Sequence, residues 1–129
     1  MDIRTLQNTI SKALLDTKAK DIRVYDTTKL SSEFDRVIIA TATSNRHTRA
    51  LGHAVAEDVK KAGGSVLSIE GLDAGEWVLV DCEKAIVHIM QPQMREYYAL
   101  EELWGEKSVH LKLLKEAAKA ENEIKDVFP

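Results

Sequence analysis

The stretch EWVLVDCEKAIVHIM, residues 76–90, decides how the rest of the chain is read. Side chains alternate across a strand, so in the first half Trp77, Leu79 and Asp81 share one face while Val78 and Val80 share the other. The second half repeats the pattern, with Ile86, His88 and Met90 set against Val87 and Ile89. Two apolar, β-branched-rich runs separated by Cys82, Glu83 and Lys84 predict a tight antiparallel hairpin over 77–81 and 85–90. Both of its faces are largely apolar. Helices can cover one; the other needs more of the same domain or a second protein. A tryptophan beside an acid and a methionine has the make-up of an interface anchor with a charged rim.

Upstream, residues 65–69 read as a short strand, and Gly63 and Gly64 stand where a left-handed residue closes the preceding helix. That helix carries Leu51, Val55 and Val59 on its apolar face, with Ala54 and Ala62, and Ser44 is its expected N-cap. Over 34–41 the β-branched run Val37, Ile38, Ile39 predicts a strand buried on both sides. Residues 21–26 alternate, Ile22, Val24 and less clearly Asp26 against Arg23 and Tyr25, which gives another strand. Ile3, Leu6, Ile10 and Leu14 recur at helical spacing and predict a first helix over 2–19. Downstream, Pro92 breaks the strand pattern, a short helical segment runs through Met94, Tyr97, Tyr98 and Leu100, and charges of mixed sign over 107–128 predict a helical tail. The expected class is α/β (α+β): a mixed sheet of about five strands flanked by helices. The hairpin supplies an antiparallel pair, and the long crossover through the second helix predicts a parallel one.

A chain of 129 residues with 44% hydrophobic and 30% charged residues is long enough to bury one core. No run approaches the length of a membrane span, and the amphipathic, acid-containing start differs from a signal peptide. The single cysteine, Cys82, excludes an internal disulfide and fits a reducing cytoplasm. The net charge of −3 argues against a protein that grips nucleic acid by its phosphates. Residues 66–106 hold nine acids, Glu70, Glu76 and Asp81 among them, against Lys84 and Arg95, a local net charge of −7. Such a surface repels RNA and attracts a basic protein.

Candidate chemistries are thin by comparison. In IIATATSNRH, residues 38–47, a strand runs through Thr41, Thr43 and Ser44 into a helix N-terminus, where backbone amides can hold an anion. The glycines and the lysine of a phosphate loop are missing, so a structural cap is the plainer reading. Arg46, His47 and Arg49 make a local basic spot, read as a solvated helix face or else as an RNA contact. His47 and His53 are six apart and do not align as metal ligands, and His88 in an apolar strand reads as a structural histidine. Cys82 with His88 and Asp81 assembles a nucleophile on paper, at a hairpin tip expected to be wet and mobile. The enzymatic reading is a residual magnesium-dependent nucleotidyltransferase using Ser44 and Asp81. The expected protein is not an enzyme and needs no cofactor or metal.

DIRVYD (residues 21–26), VIIATATSNRH (37–47), EG (70–71), EWVLVD (76–81), IVHIM (86–90) and REYYALEELW (95–104) together resemble, in order and spacing, the Iojap family of ribosomal silencing factors. The resemblance runs to residue 104 and implies a ribosome-binding domain over 1–104; residues 105–129 lie outside it and are read as a charged helical tail from their composition alone. It implies a fold like a nucleotidyltransferase core without the catalytic carboxylates. It further implies a cytoplasmic binding protein that docks on the large ribosomal subunit through that subunit's fourteenth protein, at the intersubunit face. Docking there obstructs joining of the small subunit and represses translation. The contact residues implied are Trp77, Asp81 and Met90, with Glu70, Arg95 and Tyr98 nearby, and homodimers are implied as well. One departure stands out: where the family has an aromatic residue and a glycine in the hairpin turn, this chain has Cys82 and Glu83.

Overall fold

A computed structural model describes residues 1–100 and residue 102. The tail helix expected over 107–128 lies outside the described residues. Within them, helix α1 (Ile3–Asp16) is followed by strands β1 (Lys20–Asp26) and β2 (Arg36–Thr41), helix α2 (Asn45–Lys61), strands β3 (Ser68–Glu70), β4 (Trp77–Asp81) and β5 (Ala85–Met90), and helix α3 (Pro92–Tyr98). The expected mixed sheet is present, in the order β1-β2-β5-β4-β3. Every pairing among the described residues is antiparallel except β2 with β5, which the crossover through α2, β3 and β4 makes parallel.

Helices α1 and α2 share one side of this sheet. Leu6, Ile10 and Leu14 from α1 and Leu51, Val55 and Val59 from α2 form one core with Ile22, Val24, Ile38, Ala40, Val78, Val80, Val87 and Ile89. These strand residues are the set that period-two alternation puts on one face. The opposite set, Tyr25, Val37, Ile39 and Met90, builds a second and smaller cluster with Phe34, Trp77, Met94 and Leu100. The β-branched run in β2 feeds both clusters, which is why Val37, Ile38 and Ile39 are all buried.

The helix ends explain where the chain departs from its expected boundaries. Helix α1 begins one residue later than the pattern indicates, because the Asp2 carboxylate caps it by accepting from the Thr5 N–H at 2.7 Å. It ends at Asp16 instead of residue 19: Lys18 takes a left-handed φ of 68°, Lys18 N–H donates to Leu15 O and Ala19 N–H donates to Leu14 O. That is a Schellman closure without a glycine. Helix α2 closes the same way, with the expected Gly63 at φ 91° and Gly64 N–H donating to Val59 O. Strand β1 carries a bulge between Lys20 and Arg23, with Asp21 at φ 50°.

Candidate functional site

The register of the sheet sets out the face that α1 and α2 leave alone. Glu70 pairs with Leu79, Leu79 with His88, His88 with Ile39 and Ile39 with Arg23, a transect across all five strands. Beside it run Ser68, Asp81, Ile86, Val37 and Tyr25, and at the far end Trp77, Met90 and Thr41. Val37, Ile39, Tyr25 and Met90 are buried in this layer, whereas Trp77, Leu79, Ile86 and His88 are only half-buried. Helix α3 covers the part over the end of β5 and stops there. An apolar strip therefore lies open, with the carboxyl groups of Glu70 and Asp81 along its β3–β4 side.

Trp77 is its largest member. Its indole N–H donates to His88 Nδ1 at 3.1 Å, and its ring stacks at a tilt on Tyr98, centroids 4.8 Å apart. Tyr98 in turn meets Tyr97 edge to face at 4.9 Å, and Tyr97 is 80% exposed. Aromatic pairs at these separations add to the hydrophobic contribution of the ring area. Burial among apolar neighbours pushes the His88 imidazole down from 6.5 to about 4. At neutral pH it is uncharged, and with Nδ1 accepting from the indole its proton sits on Nε2.

The six residues implied as contacts divide into two groups. Trp77, Asp81, Glu70 and Tyr98 reach the surface of the open face. Met90 does not: it is fully buried beneath, paired across the hairpin with Trp77. Arg95 does not either. The residue is 6% exposed, and its guanidinium donates from Nη1 to Asp21 O at 2.6 Å and to Thr41 Oγ1 at 2.7 Å. The bulge in β1 turns the Asp21 carbonyl out of the ladder and makes it available. Arg95 thus ties α3 to the ends of two strands and holds Tyr98 against Trp77. Met90 and Arg95 therefore lie beneath the open face, and the other four of the six lie on it.

Asp81 has a second job. Its Oδ1 accepts from the Glu83 N–H at 2.9 Å, capping the hairpin turn, and Glu83 sits at φ 70°. Glu83 thus adopts the left-handed backbone that the family's glycine takes readily. Cys82 is buried on the helix-covered side, contrary to the wet tip expected of it, and burial pushes its thiol up to about 12. His88 lies on the opposite face, so the two cannot form a nucleophile and base.

A magnesium site shared by Ser44 and Asp81 fails on placement. Asp81 sits in the row of Ile86 and Val37, while Ser44 lies beyond the Thr41 end of β2, four residues or roughly 13 Å along the strand. A magnesium ion needs its ligands within about 2 Å of itself, so these two cannot hold one together. Among the described residues no group of three or more His, Cys, Asp or Glu is arranged to hold a metal. Ser44 caps α2 as expected, accepting from His47 N–H at 3.1 Å. The Thr43 N–H that an anion would use is bound to His47 Nδ1 at 3.0 Å. The basic spot is solvated only in part: His47 Nε2 donates to Thr17 O, and the Arg49 guanidinium donates to Leu72 O and Asp73 O. Only Arg46 of the three is exposed. No helix among the described residues is long and apolar enough to cross a membrane.

His88 is the hydrogen-bonded structural histidine that an apolar strand predicts, but its partner, the Trp77 indole, is what the strand alone does not name. The signal lies in the three-residue turn: it fixes Trp77 opposite Met90 and so puts His88 diagonal to the indole.

Comparison with known proteins reaches the same place. The family model described as "Ribosomal silencing factor during starvation" matches residues 1–127. The Ribosomal silencing factor RsfS of Chromobacterium violaceum is 46% identical over 105 residues, covering 81% of this chain and 86% of that protein. A crystal structure of a protein from the same organism superposes with a TM-score of 0.80 at 43% identity, covering 87% of this chain and 93% of the other. A protein of Mus musculus named "Mitochondrial assembly of ribosomal large subunit protein 1" is 33% identical over 108 residues, 81% of this chain and 47% of its own length. With the sheet, its half-covered face and these matches together, the chain belongs to the family of ribosomal silencing factors.

Proposed function

We propose that the protein silences translation by occlusion, docking its open sheet face on the large ribosomal subunit and occupying surface that the small subunit must meet. The observation that carries this is Trp77: a large aromatic ring, half-buried, oriented by His88 and Tyr98, on an apolar strip edged by Glu70 and Asp81. Such a strip fits a basic protein with an apolar centre, because desolvated aromatics anchor interfaces and charged rims select the partner. The family resemblance points to the fourteenth protein of the large subunit, at the intersubunit face; the mouse relative's name refers to the large subunit as a whole. The mechanism needs no turnover, cofactor or metal. Its place of action is the cytoplasm, where the subunits join. The resemblance also implies a homodimer, and the two-faced hairpin is compatible with one.

Sedimentation of the full chain with separated subunits, followed by a subunit-joining assay, tests the reading. The wild type is expected to travel with large subunits and to reduce joining. Trp77→Ala is expected to weaken binding by about 30-fold or more, the loss typical of a central aromatic anchor, with an unchanged circular dichroism spectrum. Undiminished binding by a folded Trp77→Ala protein removes this face from the account.

A further inference from the structure

Trp77 stands at the start of β4, on the side of the sheet that α3 covers, and nothing in the strand itself fixes the angle of its ring. Two contacts do. Tyr98 lies against the ring at 4.8 Å, and His88 Nδ1 receives the indole proton at 3.1 Å. The rings of Trp77 and His88 are 5.8 Å apart and tilted by 47°, an edge-on hydrogen bond instead of a stack. Tryptophan has one polar atom, a donor, so an indole half-sunk in an apolar strip must find an acceptor or leave that donor unsatisfied.

From this we infer that His88 is a positioning residue of the docking face, its Nδ1 holding the Trp77 indole in the one orientation a partner can bury. The inference rests on the docking reading and goes beyond it by assigning a role to a residue that need not touch the partner at all. Three observations bear it. The register places His88 at the centre of the transect Glu70, Leu79, His88, Ile39, Arg23, with an apolar neighbour on each side. No other acceptor is needed for the indole, and accepting through Nδ1 sets the imidazole tautomer. The apolar setting also keeps the ring neutral at physiological pH, so the lone pair on Nδ1 stays available. The charged groups of the strands on the same face are Glu70 on β3, Asp81 on β4 and Arg23 on β1, with Arg95 of α3 beneath; Arg23 pairs with Asp21 at 3.4 Å and Arg95 is bonded to Asp21 O and Thr41 Oγ1. The partner this favours offers an apolar slot for a fixed indole, not an adaptable surface that would accept any rotamer.

The test compares three substitutions in the full chain. His88→Leu removes the acceptor, His88→Asn keeps an oxygen near the position of Nδ1, and Trp77→Phe removes the donor. The first readout is the indole N–H resonance in a proton–nitrogen spectrum, the Trp77 signal being the one absent from Trp77→Phe. It is expected to shift upfield in His88→Leu and to stay near its wild-type position in His88→Asn. The second readout is binding to purified large subunits. His88→Leu is expected to weaken it about five- to tenfold, His88→Asn by less than about threefold, and the Trp77→Phe and His88→Leu losses are expected not to add, since one hydrogen bond accounts for both. If leucine prevents folding, His88→Gln, whose oxygen sits too far out to meet the indole, carries the same comparison. An unmoved Trp77 resonance in a folded acceptor-less variant overturns the inference, and so does a moved resonance with unchanged binding. The docking reading fails separately, when Trp77→Ala itself binds as well as the wild type.

Discussion

Protonating His88 demands two unfavourable things at once: a charge among apolar side chains, and a donor at Nδ1 facing the indole N–H of Trp77. In the unfolded chain the imidazole takes up its proton near 6.5, in the fold only near 4. Between those values the unfolded state binds more protons, so stability rises with pH through this window and is complete above 6.5. As pH falls from 6.5 to 4 the protein is expected to lose about 1–3 kcal/mol from this group. Urea denaturation at about pH 7 and about pH 5, on wild type and His88→Asn, isolates it: the wild type should lose more than the variant, and equal losses would show that His88 contributes nothing to the slope. At this scale alternation puts Trp77, Asp81 and Glu70 on the open face, where they reach the surface, and Met90 on the same face, where it does not. Alternation gives the face of a strand residue but not its depth. Arg95 lies beyond such reasoning altogether, because its acceptor is a carbonyl 74 residues earlier that a bulge exposes.

Two helices of this protein close with the same hydrogen-bond pattern, and only one announces it. In α2 the left-handed position is Gly63, where no side chain clashes with the backbone; in α1 it is Lys18, at φ 68°. A non-glycine residue in this region costs about 1–2 kcal/mol, of which glycine recovers part after its greater freedom in the unfolded chain is subtracted. Lys18→Gly is therefore expected to raise stability by about 0.5–1 kcal/mol. Thermal melting read by circular dichroism checks it, and a lower melting temperature would mean that Lys18 makes a contact worth more than the strain. The same contrast explains what was legible among the elements. Helix α2, capped by Ser44 and closed by glycines, was readable at both ends; α1 was overrun because lysine gives no stop signal. The hairpin and its three-residue turn were readable from the spacing of two apolar runs. That Glu83 takes a glycine-like φ was not, since its compensation is the Asp81 carboxylate accepting its N–H.

Across the whole molecule the charge is uneven: residues 66–106 carry −7 and the remainder +4, for a total of −3. That asymmetry is plain from composition alone, and the two-sided apolar hairpin is plain from alternation. Which side stays open is not, because both alternating sets in β4 and β5 are apolar and only the packing of α1 and α2 chooses between them. The two properties act on different steps of association. Charge of one sign acts at a distance, draws a basic partner in and is screened within about 8 Å at physiological ionic strength. Burial of an indole acts only at contact and sets how long the complex lasts. The on-rate for the large subunit is therefore expected to fall roughly fivefold or more as salt rises from about 0.05 to about 0.5 M, with the off-rate changing less. Asp81→Asn separates the carboxylate's charge from its turn-capping role, because the amide oxygen still accepts the Glu83 N–H. In stopped-flow or biolayer measurements this variant should bind more slowly at low salt, approach the wild type at high salt and dissociate at much the same rate. Trp77→Ala should do the reverse, associating nearly normally and leaving fast. A wild-type on-rate indifferent to salt would mean that the acidic rim plays no part in finding the partner, leaving the apolar strip to account for recognition alone.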